Sequence, residues 1–208
     1  MTPERARVAV FVSGRGSNLR AILAARSTLH ADVVGVLSSK PDAPALGFAA
    51  EAGVPTAALD AKGAPSRAAY DKRVDETLAA WEADFIVLAG YMRLLPADLL
   101  RRFVGRIVNI HPSLLPAFPG LRPHRQALER GVTLSGATVH FVTEGPVDGG
   151  PIIAQRAVPV EPGDDEDALA ARILVAEHEL YPAALREVLA GRARLEGERV
   201  VRALEGAR

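Results

Sequence analysis

The sequence predicts a three-layer α/β fold, with a mostly parallel sheet between helices and antiparallel strands added in the C-terminal half. Three observations predict it. Short β-rich runs alternate with helical stretches between residues 7 and 111, the pattern of strands joined by helical crossovers. The run Asp84-Phe-Ile-Val-Leu-Ala89 is apolar on both faces, as a buried parallel strand is. Further on, two strand-like segments are joined by a glycine-rich connection too short for a crossover, which implies antiparallel pairing.

Taken in order, Arg7-Val-Ala-Val-Phe-Val12 reads as the first strand, Ser13-Gly-Arg-Gly-Ser-Asn18 as a tight loop, and Leu19 to Ala25 as a helix. A second strand is expected at Asp32 to Leu37, a helix around Pro44 to Ala52, and a short strand near Pro55 to Leu59. A longer helix covers Ser66 to Trp81, followed by the strand from Asp84 to Ala89. A short helix near Pro96 to Arg102 leads into the strand Arg106-Ile-Val-Asn-Ile-His111. This half reads as Rossmann-like. Pro112 to Arg125 carries four prolines and one glycine, so it is an ordered loop or a loop entering a helix. Strands follow at Ser135 to Val142 and Pro151 to Val160, joined through Gly145-Pro-Val-Asp-Gly-Gly150. Glu166 to Leu189 reads as one long amphipathic helix that Pro182 bends or divides. Ala193 to Leu204 reads as a hairpin turning at Glu196-Gly197. No repeat or low-complexity linker interrupts the 208 residues, and one domain is expected.

Composition narrows the chemistry. With 49% hydrophobic and 24% charged residues the chain is globular rather than disordered. Its 25 basic and 25 acidic side chains cancel, which argues against broad binding to nucleic acid or anionic membrane. No Cys is present, which removes disulfides, thiol nucleophiles and Cys-based metal sites. No apolar stretch approaches a membrane span, and Met1-Thr-Pro-Glu-Arg5 lacks the apolar core of a signal peptide, so a cytoplasmic location is expected. No pair of histidines has the spacing of a metal motif, and no metal is expected. A G-x-S-x-G elbow is absent too.

Several loci carry chemistry, each with a plainer alternative. Gly14 and Gly16 fit the start of a dinucleotide fingerprint, but Leu19 stands at its third glycine and no acid follows the second strand. What remains is a helix start at Ser17-Asn18, where both residues can cap. It is either a seat for a phosphate monoester or an ordinary turn. Asn109 and His111 alternate onto one side at the carboxyl end of a strand, where open α/β sheets place ligands. An amide beside an imidazole suits holding negative charge on oxygen during attack at a carbonyl carbon; the alternative is a polar strand end satisfied by backbone. Asp148 precedes two glycines. It either bonds its own backbone in a turn or sets a carboxylate against an imidazole, and spacing does not choose. His30, His124, His140 and His178 carry weaker signals, and Glu177 reads by default as a solvated helix residue.

Ser13-Gly-Arg-Gly-Ser-Asn-Leu19, Leu88-Ala-Gly-Tyr-Met-Arg-Leu-Leu95, Asn109-Ile-His-Pro-Ser-Leu-Leu-Pro116, Asp148-Gly-Gly-Pro151 and Glu177-His-Glu-Leu-Tyr-Pro182 occur in this order. Together they resemble the phosphoribosylglycinamide formyltransferases, the folate-dependent GAR transformylases of purine synthesis, over essentially the whole chain. Asn-x-His-Pro-Ser specifies the wider group of enzymes that use 10-formyltetrahydrofolate, while the Gly-Ser-Asn loop and the compact length single out the GAR enzymes. The resemblance implies a single formyltransferase domain over 1–208, with a nucleotide-binding half at 1–110 and a folate-binding and C-terminal half at 111–208. It implies that Gly16, Ser17 and Asn18 hold the phosphate of glycinamide ribonucleotide (GAR), with Glu177 on the same substrate. Arg67, Met92, Arg93, Leu94, Leu95, Asn109 and Thr143 would contact the folate, and Asn109, His111 and Asp148 would form the catalytic trio. Two departures from the family stand out: Arg122 replaces a usual His, leaving only His124, and the loop before Asp148 is slightly longer.

The implied reaction is direct transfer of formyl from 10-formyltetrahydrofolate, a co-substrate, to the GAR amine. Asn109 and protonated His111 would hold the tetrahedral oxyanion, and Asp148 would order a water that relays the proton. Partners would be these small molecules, without nucleic acid or membrane, on a monomer or homodimer. The rivals are a formyltetrahydrofolate hydrolase, a formyltransferase with another amine acceptor such as methionyl-tRNA, and a non-catalytic nucleotide-binding module.

Overall fold

The computed structural model describes residues 5–60 and 62–203. All but the last residue of the N-terminal run Met1 to Arg5, and Leu204 at the end of the expected hairpin, lie outside them. The chain divides into two compact units, the first ending at Ile107 and the second beginning at Val108.

In the first unit, β1 (Ala6–Val12) pairs in parallel with β2 (Ala31–Ser38) on one side and with β4 (Phe85–Leu88) on the other, and β3 (Thr56–Ala58) pairs in parallel with β2. Val8 to Val12 are almost wholly buried, so β1 faces apolar neighbours on both sides, as its unbroken hydrophobic run requires. The intervening helices are α1 (Ser17–Ala24), α2 (Ala45–Glu51), α3 (Arg67–Ala80) and α4 (Ala97–Arg102). Gly35 in β2 lies under Trp81 at the end of α3, and a Cβ there would come within 2.4 Å of the indole. Arg7 ties the same helix end down by donating to the Trp81 and Glu82 carbonyls at 2.9 and 3.1 Å.

In the second unit, β5 (Ile107–His111) pairs antiparallel with β6 (Leu134–Phe141) across a connection that includes a helix, and β6 pairs antiparallel with β7 (Ile152–Pro159), as the short glycine-rich connection between those two predicts. Helix α5 (Pro123–Arg130) starts on a proline, whose missing N–H costs nothing in a first turn. Helix α6 (Glu166–Leu189) is continuous through Pro182 and does not divide there. It is capped by the Asp165 carboxylate, which accepts from the Ala168 N–H at 2.8 Å. Tyr181 on its buried face donates to the Val108 carbonyl at 3.0 Å, fixing the helix on β5. Strands β8 (Ala193–Glu196) and β9 (Arg199–Arg202) form the expected hairpin as a separate two-stranded sheet.

The seven-stranded sheet runs β3-β2-β1-β4-β5-β6-β7. The strand order reverses beside β1, and the loops that follow the carboxyl ends of β1, β4 and β5 carry the chemistry-bearing sequences. Among the described residues, no helix is long and apolar enough to cross a membrane.

Candidate active site

Antiparallel pairing of β5 with β6 sets Asn109 directly opposite His140 and leaves Asn109 and His111 on one side of the strand. The connection from β6 to β7 then returns Asp148 to the same place, held with φ +57. Gly150, two residues on, is required because a Cβ there would meet the Phe141 carbonyl at 1.9 Å. A left-handed conformation costs a non-glycine residue about 1–2 kcal/mol. The bonds that Asp148 makes offset it. One carboxylate oxygen lies 3.2 Å from His111 Nδ1 and accepts from the Gly120 N–H at 2.8 Å. The other lies 3.5 Å from Asn109 Nδ2 and 3.6 Å from His140 Nε2. The carboxylate therefore faces the imidazole instead of serving only to close its own turn.

His111 is 5% exposed, and its Nε2 lies 2.8 Å from the Phe118 carbonyl. A carbonyl only accepts, so Nε2 carries a hydrogen. Since Nδ1 faces a carboxylate, the ring is fully hydrogen-bonded only when both nitrogens carry hydrogens. His140 is ordered differently. Its Nδ1 donates to the Phe141 carbonyl at 3.0 Å, so in the neutral ring Nε2 is bare and accepts from Asn109 Nδ2 at 3.2 Å. Burial pushes the Asp148 carboxyl up, but bonding from His140 and Gly120 and the charges of His111 and His140 outweigh it, and the net result is below the ordinary aspartate value. Burial lowers the pKa of His124 on α5; Glu166 opposes that effect and the charge of His111 adds to it.

His140 is the member that sequence reasoning passed over. Its signal was present in the alternation of β6, but its value depends on the register with β5. Glu177 corrects a default expectation as well: it is 6% exposed, buried midway along α6 rather than solvated. Thr143 is half-buried in the β6–β7 connection that also carries Asp148.

The first unit contains the remaining predicted residues. Gly16, not Ser17 or Asn18, is the N-cap of α1, with φ +78 and no side-chain cap bond, which corrects the expected capping. A Cβ on Gly16 would fall 2.7 Å from that of Ala45, so only glycine fits. Ser17 and Asn18 occupy the first turn of α1, both half-buried. After β4, Met92 and Leu94 project outward, 69% and 65% exposed, although their backbone is held firmly. The Met92 N–H donates to Ser13 Oγ at 2.9 Å, and Arg67 at the start of α3 donates to the Leu94 carbonyl. The Arg93 guanidinium lies 4.6 Å from the centre of the Tyr70 ring, and Leu95, two residues on, is half-buried. A rigid backbone presenting exposed apolar side chains suits an apolar ligand. No cluster of three or more His, Cys, Asp or Glu able to hold a metal ion occurs among the described residues.

Residues 6–185 match the formyl transferase family. The chain is 44% identical over 190 residues to the phosphoribosylglycinamide formyltransferase of Escherichia coli (strain K12), covering 90% of this chain and 89% of that protein. It is 49% identical over 202 residues to the trifunctional purine biosynthetic protein adenosine-3 of Drosophila melanogaster, of whose length it spans 15%. The crystal structure of glycinamide ribonucleotide transformylase 1 from Symbiobacterium toebii aligns with a TM-score of 0.92 at 48% identity, covering 96% of this chain and 95% of that one.

Proposed function

We propose that this chain, which belongs to the formyl transferase family, transfers the formyl group of 10-formyltetrahydrofolate to the amine of glycinamide ribonucleotide. The products are formyl-GAR and tetrahydrofolate, in purine biosynthesis. The observation that carries this reading is the cluster of Asn109, His111 and Asp148, with His140 behind it. The name of the Escherichia coli relative supports the choice of acceptor.

In this reading the amine attacks the formyl carbon, and the carbonyl oxygen becomes an oxyanion. Asn109 Nδ2 has two hydrogens, and His140 takes one. The second faces Asp148 at 3.5 Å, too long to compete with an oxyanion. The His111 imidazolium supplies positive charge beside the oxyanion rather than a further N–H, because its Nδ1 faces the Asp148 carboxylate and its Nε2 the Phe118 carbonyl. Collapse breaks the bond from the formyl carbon to the folate N10, and the proton released by the amine reaches that nitrogen through a water ordered by Asp148. No covalent enzyme intermediate forms. Bringing two reactants together is worth about 7–11 kcal/mol, and preorganised oxyanion donors add about 2.7–4 kcal/mol each.

Gly16, Ser17 and Asn18 then bind the GAR phosphate through the N–H groups at the start of α1, and Glu177 contacts the same substrate. Arg67, Met92, Arg93, Leu94, Leu95, Asn109 and Thr143 contact the folate. The enzyme acts on these small molecules in the cytoplasm, as a monomer or homodimer and as a single domain over 1–208. The test is to mix the protein with 10-formyltetrahydrofolate and follow tetrahydrofolate by absorbance with and without GAR. Release that requires GAR is the expected result. Release that ignores GAR replaces this reading with a hydrolase, and no release in either mixture leaves a binding module.

A further inference from the structure

The loop between β5 and α5 has an unfavourable backbone, with Phe118 at φ +57, Gly120 at +77 and Arg122 at +56. It nonetheless presents two backbone groups to the proposed centre: the Phe118 carbonyl to His111 and the Gly120 N–H to Asp148, both at 2.8 Å. Two glutamines outside the trio hold this loop. Gln126 on α5 donates from Nε2 to the carbonyls of Pro119 at 3.0 Å and Leu121 at 2.9 Å, straddling Gly120. Gln155 on β7 donates from Nε2 to the Leu115 carbonyl at 2.8 Å and to Thr138 Oγ1 at 2.9 Å. That hydroxyl also accepts from the Leu115 N–H at 3.0 Å and donates to the Ser113 carbonyl at 2.7 Å. Ser113 Oγ closes the series on the Ala117 carbonyl at 2.6 Å.

A primary amide suits this work because its nitrogen carries two hydrogens at fixed angles, so one side chain can bridge two acceptors. A carboxylate has none to give, and an aliphatic chain of the same length has no donor. We propose that Gln126 and Gln155 are positioning residues, which fix the loop so that the Phe118 carbonyl orients His111 and the Gly120 N–H orients Asp148. Their kinetic role rests on the formyl-transfer reading, whereas the holding of the loop does not.

The experiment compares the wild type with Gln126→Met and Gln155→Met, which keep side-chain length and lose the donors. Two readouts are taken. Amide hydrogen exchange at Gly120, followed by NMR, should quicken at least tenfold in Gln126→Met, with the Val10 amide of β1 as an unchanged internal reference. In both variants kcat should fall about 10- to 100-fold, while KM for 10-formyltetrahydrofolate stays within about twofold. The acid limb of kcat should also move to higher pH in Gln126→Met, since the Gly120 N–H helps keep the Asp148 carboxyl low. His111 of β5 and His140 of β6 face that carboxyl unchanged, and His124 of α5 and Glu166 of α6 lie beyond them. Unchanged Gly120 exchange overturns the proposal, and so does quickened exchange with kcat within twofold of wild type. If wild type fails to transfer formyl to GAR, the functional reading is what falls, and Gly120 exchange still decides whether Gln126 holds the loop. Should Gln126→Met not fold, the kcat of Gln155→Met decides.

Discussion

Asn109, His111 and Asp148 become a centre through distances of 3.5 Å or less among their side chains, and individual substitutions probe it directly. Asn109→Ala removes the proposed oxyanion donor, so kcat should fall about 100- to 1000-fold with the fold intact, measured by steady-state turnover and a thermal melt. Near-normal turnover in a folded Asn109→Ala protein would remove the residue from the mechanism. Asp148 makes a pH-dependent contribution as well. Its native carboxyl titrates below the ordinary 3.8, so the stability it contributes is complete above that value and is lost as pH falls through the lowered native one. The melting-temperature gap between wild type and Asp148→Asn should therefore be constant at neutral pH and narrow below about pH 3.8. Gly16 is governed by space and backbone alone. Gly16→Ala forces an alanine to φ +78 and against Ala45, and should destabilise by more than about 2 kcal/mol in denaturant unfolding. Neither the Asn109 nor the Asp148 environment is visible from spacing: the two residues are separated by 39 positions and meet only in the fold.

Elements were far more legible than contacts. The strands and helices fall where hydrophobic period, glycine and proline place them, because those signals act over one or two turns of chain. Ser66 shows how local the signal is: its hydroxyl accepts from the Ala69 N–H at 3.0 Å and caps α3, the helix whose first turn carries Arg67. Ser66→Ala should cost about 1 kcal/mol in equilibrium unfolding and, by fraying that turn, raise KM for the folate donor more than it lowers kcat. A donor KM unchanged by this loss would separate the start of α3 from folate binding. The capping of α1 was misread for an equally physical reason. Ser17 and Asn18 are good caps by composition, but the close approach of α2 at Ala45 demands a glycine in the left-handed region one residue earlier.

For the molecule as a whole, ligand binding should register as stability. Binding only to the folded chain at 100 times Kd adds about 2.7 kcal/mol, so saturating GAR or 10-formyltetrahydrofolate should raise Tm by roughly 5–10 °C. An unmoved Tm with both compounds present would contradict the proposed substrates. Family and fold class were readable from the sequence because they reside in ordered local patterns: parallel-strand runs, the glycine loop after β1, and Asn-x-His-Pro-Ser at the end of β5. By itself the sequence determined which segments are strands or helices, and which residue types stand at the strand ends that carry the candidate site. Only the tertiary structure decided that His140 stands behind Asn109, that Asp148 turns towards His111, and that Glu177 is buried. Backbone propensities are set by near neighbours, whereas strand register and the path of a loop are set by packing between residues tens of positions apart.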